Sequence, residues 1–353
     1  MGMKLFVFGL VLIWTVLLAS SLGFIVRRVF SRKGWVDQPD AQRRTHASAI
    51  PFGGGLVAWM TCTFVIGGAT LFLVSQGMLS VSSDALLFRG LLGAFFASIP
   101  LLIVGTLDDR YRLSPYWLSA GAILSVLIAL LYGIRIQELT RIGGSVYVLS
   151  TVVSFLLTGI WLLLCIGATK FSDGIDGLVC GQTCVGAVLI AGLALSPAFR
   201  QLNVAFLAII FGGAFFGVLL HNWPKARIYL GEFGSTFSGL GLGILAILSG
   251  AKLAIALMAF GPFLADIARV MVMRVLSGQS PFVGDRRHLH FLLRDAGLPA
   301  WAVSLCMWVF ALIFGLSALQ FQTQGKILLL ATVLLLTWGG AFALERQARR
   351  KTV

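Results

Sequence analysis

Long apolar runs broken by short polar islands dominate this chain. A helix needs about 20 apolar residues to cross a hydrocarbon core. Runs of that kind recur near residues 5–26, 52–75, 86–107, 114–133, 150–169, 178–196, 202–221, 236–250, 252–273, 299–320 and 326–344. They predict an all-α integral membrane protein, a polytopic bundle of about 10–11 transmembrane helices, with 1–353 forming a single transmembrane domain. The eighth run is short and rich in glycine (Gly239, Gly241, Gly243), which predicts close packing against its neighbours. The first run has no small-residue cleavage site and reads as a span rather than a removed signal. The connection at 134–150 is amphipathic at best, and no internal repeat supports an inverted-repeat transporter.

Composition agrees: 58% of residues are hydrophobic and 11% charged, and the net charge is +14. So basic a chain could bind nucleic acid, but in a set of membrane spans the excess marks the loops of one face. Nineteen of the 27 Lys and Arg fall in one set of loops and seven in the opposite set. The richer face reads as cytoplasmic, which puts the N-terminus outside and the C-terminus inside. Asp108, Asp109, Asp173, Asp176, Glu232 and Asp285 lie on that same face, so the chemistry-bearing loops share one side of the bilayer. The five cysteines form no CxxC pair, and neither a disulfide frame nor a zinc site is indicated.

The polar islands carry the candidate chemistry. The organising stretch is Lys170–Leu178, KFSDGIDGL, which reads as a glycine-rich turn presenting Asp173 and Asp176 to one aqueous site. A carboxylate at mid-depth costs roughly 2.5–3.5 kcal/mol even on the lenient insertion scale. Such acids therefore belong at the interface, or in a cavity where a cation or phosphate needs them. Asp108-Asp109-Arg110 closes the third span; adjacent carboxylates repel unless positive charge stands beside them, and one of them could serve as a base. Arg44 and His46 precede Gly53-Gly54-Gly55 at a helix start, a pattern suited to an anion, though not a P-loop. Asn222 opens an island in which Gly231-Glu232-Phe233-Gly234-Ser235 could place Glu232 on a hard cation such as magnesium, with Ser235 as a helix cap in the plainer reading. Asp285, Arg286, His288 and His290 suggest a phosphate or sugar site, while Asp266 and Arg269 are expected to pair with each other. Basic groups, carboxylates and a cation at one membrane surface suit phosphoryl transfer between a soluble phosphate ester and a lipid phosphate.

The ordered islands RRTHxxxIPxGGG, DDR, FSDGIDGL, NxPxAxIxxGExGS and SPFxxDRxHLH, over about residues 37–295, resemble the polyprenyl-phosphate N-acetylhexosamine-1-phosphate transferases of glycosyltransferase family 4. The Asp109–Arg110 and His-Leu-His details look most like the O-antigen and teichoic-acid initiating branch. The resemblance implies an enzyme of the bacterial inner membrane with its site on cytoplasmic loops. It would move a GlcNAc-type hexosamine-1-phosphate from a UDP-N-acetylhexosamine to undecaprenyl phosphate, release UMP, and use magnesium, with manganese as an alternative. Its partners would be membrane lipid and not nucleic acid, and a homodimer stays open. It assigns Asp108, Asp109, Asp173 and Asp176 to catalysis and Glu232 with Asp109 to the metal. It assigns Arg44, His46, Lys170, Asn222, Asp285, Arg286, His288 and His290 to the substrates. Two departures fall on the presumed metal site: Lys170 stands where the family commonly has Asn, and Glu232 where it has Asp. Either Lys170 pairs with Glu232 and partly replaces the cation, or the metal is shifted and held more weakly, or the chain is an inactive scaffold of the same fold. A lipid or ion transporter is the more distant alternative, since its acids would lie at mid-bilayer.

Overall fold

The computed structural model describes residues 2–37, 49–140, 145–197, 199–250, 253–279, 287–321 and 323–351. The apolar runs are helices: α1 (Gly2–Arg32), α2 (Gly54–Ser75), α3 (Ala85–Tyr111), α4 (Pro115–Leu131), α5 (Thr151–Ser172), α6 (Leu178–Leu195), α7 (Leu202–Asn222), α8 (Gly231–Leu248), α9 (Leu253–Leu276), α11 (Ala300–Gln320) and α12 (Thr323–Lys351). Among the described residues, nine of these are long and apolar enough to cross a membrane. The other two are α4, of 17 residues, and α9, of 24 residues, which carries Asp266 and Arg269. A short helix, α10 (Leu289–Asp295), lies between α9 and α11 and was not expected.

Local chemistry sets several boundaries. Pro115 occupies the first turn of α4, where its missing N–H costs nothing. Ser150 caps α5 by accepting from the Val153 amide. The connection at 134–150 contains a small antiparallel hairpin, β3 (Glu138–Thr140) with β4 (Val146–Val148). A second pair joins β1 (Val36–Asp37) to β2 (Ile50–Pro51) beside the start of α2.

The eighth helix differs most from expectation. It begins at Gly231 rather than 236, so Glu232 rides on its first turn and Ser235 is an interior residue whose hydroxyl donates to the Glu232 carbonyl. Helix α8 is also the centre of the bundle: 83% of its apolar window is buried, against 17% for α12. Helices in lipid gain little from hydrophobicity and associate by close backbone packing. At the α2–α8 contact, a Cβ on Gly55 would lie 2.2 Å from the Gly234 Cα; at the α5–α8 contact, one on Gly239 would lie 2.2 Å from the Cys165 carbonyl oxygen. The outer helices present Leu71, Leu86, Leu131 and Leu335 outward, as lipid-facing surfaces require.

This packing yields a test. Gly55→Ala pushes a methyl into the α8 backbone, an overpacking that costs about 1–3 kcal/mol. Gly67→Ala, on the same helix but with nothing within 4 Å of the new methyl, is expected to leave the thermal unfolding midpoint in detergent unchanged or slightly raised. Equal midpoints for the two variants would count against the α2–α8 contact.

Candidate active site

The end of α5, the start of α6, the end of α3 and the α7–α8 connection converge on one face of the bundle. Helix α5 stops at Ser172 with Asp173 as its C-cap, and α6 starts after Gly177, whose φ of 76° is left-handed backbone that glycine adopts freely. Asn222 joins this turn to the next: its Oδ1 accepts from the Gly177 amide at 2.9 Å and its Nδ2 donates to the Ile228 carbonyl at 2.9 Å. Asp176 does similar work, accepting from the Ala226 amide at 3.1 Å through Oδ2. From α11, Ser304 donates to the Asp176 carbonyl and Trp308 to the Leu178 carbonyl.

The second junction runs through α3 and α8. Asp109 Oδ1 accepts from the Glu232 amide at 2.9 Å. Gly231 has φ of 80°, and a Cβ there would meet Asp109 Oδ2 at 2.5 Å, so the approach of α3 to α8 depends on that glycine. Lys170, on the last turn of α5, reaches across to Glu232: Nζ lies 2.5 Å from Oε1, with the side chains 26% and 17% exposed. The Lys170 charge also acts on Asp108 and Asp109. Asp108, Asp109 and Glu232 thus share the charge of one lysine, and Asp173 lies within electrostatic reach of Asp109, Asp176 and Glu232.

Asp173 feels the crowding most clearly. Its residue reaches solvent, while neighbouring protein atoms desolvate the carboxyl. That desolvation, with the charges of Glu232, Asp109 and Asp176, pushes its pKa up to about 8. Both causes favour its protonated form. On its other side Asp109 borders a cleft between α1, α2 and α3, walled by Phe30, Trp35, Phe52 and Phe233, with Arg110 at its edge.

The histidines stand apart from the open cleft. His288 is buried and its Nδ1 lies 2.9 Å from Asp266 Oδ2. Asp266 also receives the Leu289 amide and Arg269, as the spacing of those two residues predicts. Arg269, fully buried, continues to Glu345 on α12 at 2.7 Å and to the Arg287 carbonyl. His290 is buried beneath the Asp173–Gly177 turn: a Cβ on Gly174 would lie 2.7 Å from its Nε2, which has no hydrogen-bond partner among the described residues. Burial, with His288 adding to it, pushes its pKa down to about 3, so this imidazole is neutral. Phe171, His288, His290 and Phe291 form a stack that docks α10 on the end of α5.

The structure therefore brings together Asp108, Asp109, Lys170, Asp173, Asp176 and Glu232. It gives Asn222 and His288 bracing partners, and holds His290 against the turn. Arg44, His46, Asp285 and Arg286 lie outside the described residues. The Gly54 and Gly55 amides, expected to face an anion, donate to the Tyr229 and Leu230 carbonyls. Sequence reasoning missed Ser304, Trp308 and Glu345. The first two sit four apart on one face of α11, and Glu345 is an acid following an apolar run, a signal that costs alone could have raised.

Among the described residues no three His, Cys, Asp or Glu side chains make a ready metal cage. The chemistry of the donor set still fits a hard divalent cation, which takes one or two carboxylates and completes its shell with water and substrate phosphates.

The raised pKa of Asp173 gives a stability prediction. Between its ordinary value of 3.8 and about 8, the folded chain holds a proton that the unfolded chain has released, so stability falls as pH rises through that window. Asp173→Asn removes this loss. The thermal midpoint of the variant should gain on the wild type from about pH 5 to about pH 9, followed by circular dichroism. A gap that stays constant with pH would contradict the assignment.

Comparison with known proteins places this geometry. The glycosyl transferase family 4 model matches residues 91–250, the segment that runs from α3 through Asp108, Asp173 and Glu232 to the end of α8. A probable undecaprenyl-phosphate N-acetylglucosaminyl 1-phosphate transferase of Bacillus subtilis is 25% identical over 324 residues, covering 85% of this chain and 80% of that protein. A decaprenyl-phosphate N-acetylglucosaminephosphotransferase of Mycobacterium tuberculosis is 29% identical over 319 residues, covering 82% and 77%. An undecaprenyl-phosphate alpha-N-acetylglucosaminyl 1-phosphate transferase of Escherichia coli K12 is 25% identical over 285 residues, covering 78% and 73%. The match spans the segment that carries Asp108, Asp173 and Glu232, and the relatives align over most of the chain, so this polytopic membrane protein is similar to members of glycosyl transferase family 4.

Proposed function

We propose that this chain transfers an N-acetylhexosamine-1-phosphate of the GlcNAc type from a UDP-sugar to undecaprenyl phosphate, releasing UMP. The single observation that carries the reading is the convergence of Asp108, Asp109, Asp173, Asp176, Glu232 and Lys170 at one end of a membrane bundle. The named activities of the relatives support it. The product would start a lipid-linked cell-envelope glycan such as O-antigen. The site face is then cytoplasmic, where nucleotide sugars are found, and the membrane is the bacterial inner membrane. That orientation agrees with the excess of Lys and Arg in the loops of the site face.

In this reading the acceptor phosphate attacks the sugar-bearing phosphorus. A bond forms from its oxygen to that phosphorus, the bond to the bridging oxygen breaks, and UMP leaves with the bridging oxygen. Asp108, half-buried at the rim, takes the proton from a protonated acceptor phosphate. The aromatic cleft beside Asp109, with Arg110 at its edge, is where an isoprenoid phosphate leaving the bilayer meets the carboxylates. Asp176 holds the α7–α8 connection in register through the Ala226 amide. A divalent cation, magnesium or manganese, would be held by Asp109 and Glu232 and would supply charge neutralisation for the diphosphate. Phosphoryl transfer asks the protein mainly for such positioning and neutralisation.

The test is purified protein with undecaprenyl phosphate and radiolabelled UDP-GlcNAc in the presence of magnesium. UMP release is expected, and Asp108→Asn should lower it about 10²-fold or more, the scale of a lost general base. Binding of UDP-sugars without turnover by the wild type would overturn the proposal. It would favour the inactive scaffold, for which the occupied Glu232 is the supporting observation.

A further inference from the structure

The bundle contains two ion pairs of different character. Arg269 is fully buried between Asp266 and Glu345, with its pair to Asp266 0% and 5% exposed, and it locks α9, α12 and the histidine turn together. The Lys170–Glu232 pair is 26% and 17% exposed, so solvent reaches part of it. Other bonds also hold these helices: Trp161 on α5 donates to the Gly243 carbonyl on α8, and the Glu232 amide donates to Asp109. What the pair does is electrostatic: it puts one positive charge against Glu232, Asp108 and Asp109, inside a cleft with an excess of carboxylates.

We propose that Lys170 and Glu232 form a displaceable ion pair that competes with a divalent cation for the acidic cleft, so that Lys170 sets the cation affinity of this protein. Glu232 Oε1 already accepts the ammonium at 2.5 Å, and a cation on either oxygen of that carboxylate meets the Nζ charge at close range. A cation bound instead to Asp108 or Asp109 feels the repulsion of a fixed charge nearby. Either way the lysine opposes metal binding, and the opposition disappears when its charge is removed. Lys170 is in this account a positioning residue whose charge acts on the cation both directly and through its bond to Glu232. The inference rests on reading the cleft as a cation-assisted phosphoryl-transfer site.

The experiment is a titration of purified protein with Mn²⁺, read by the loss of the free-ion electron paramagnetic resonance signal, without substrate or turnover. Lys170→Asn should bind Mn²⁺ about tenfold more tightly than the wild type, and Glu232→Gln more weakly by a similar factor. The double variant, in which both charges are gone, should return close to the wild type. Lys170→Met is the second lysine variant if the first is not monodisperse on size exclusion. Unchanged or weaker binding by both lysine variants would overturn the inference. So would a double variant that binds as tightly as Lys170→Asn, because Glu232 would then play no part in what the lysine opposes. A wild type that releases no UMP while the four proteins follow the expected order removes the transferase reading and leaves the ion pair standing. An active wild type whose lysine variants bind Mn²⁺ unchanged does the reverse.

Discussion

An ammonium and a carboxylate from residues 62 apart in sequence meet at 2.5 Å, and the acidic cleft is arranged around that meeting. The constraint behind it is the cost of charge at a membrane. Carboxylates at the ends of apolar helices need water, a proton, an amide or a cation. This chain uses several of these. Asp173 is shifted toward its protonated form, Asp109 and Asp176 accept backbone amides, and Glu232 takes the lysine. The remaining excess of negative charge is what a phosphate-transfer site would turn to use, since cations attracted there also meet the substrate's phosphates.

The cleft is held by backbone packing as much as by charge. Helix α8 sits at the centre because its glycines let α2 and α5 approach to contact distance. That places Glu232, on its first turn, between the ends of α3 and α5. The connecting turns are then tied by single side chains whose partners are backbone groups: Asn222 between the two loops, Ser304 and Trp308 from α11. Rigid helices thus deliver the carboxylates, and polar braces fix the turns that carry them, which is the pre-organisation such chemistry requires.

Much of this was legible in the sequence, for physical reasons. Spans announce themselves because hydrocarbon tolerates so few polar groups, and all eleven runs became helices. The common face of Asp108, Asp173 and Glu232 followed from counting crossings. The Asp266–Arg269 pair followed from helical spacing, and the Lys170–Glu232 bond was one of three readings of the two departures on the presumed metal site. What stayed hidden depends on contacts between distant segments. Nothing local distinguishes Asn222 as a brace, or says that the Gly54 and Gly55 amides would be taken by the carbonyls of residues 229 and 230. Nor does the His-Leu-His spacing reveal that His288 turns to Asp266 and His290 packs under Gly174. The start of α8 was misplaced because Gly231 and Gly234 read as a loop, although they allow close approach at the helix start.

The central claim is that Lys170 and Glu232 are directly bonded within a cleft shared by carboxylates from three separate turns. Solid-state nuclear magnetic resonance on the protein in lipid bilayers measures this most directly, through the dipolar coupling between the ¹⁵N-labelled Lys170 ammonium and the ¹³C-labelled Glu232 carboxyl carbon. The account predicts a coupling of the size of a contact ion pair, present without added metal or substrate. A coupling too weak to detect, with the protein folded, would contradict it.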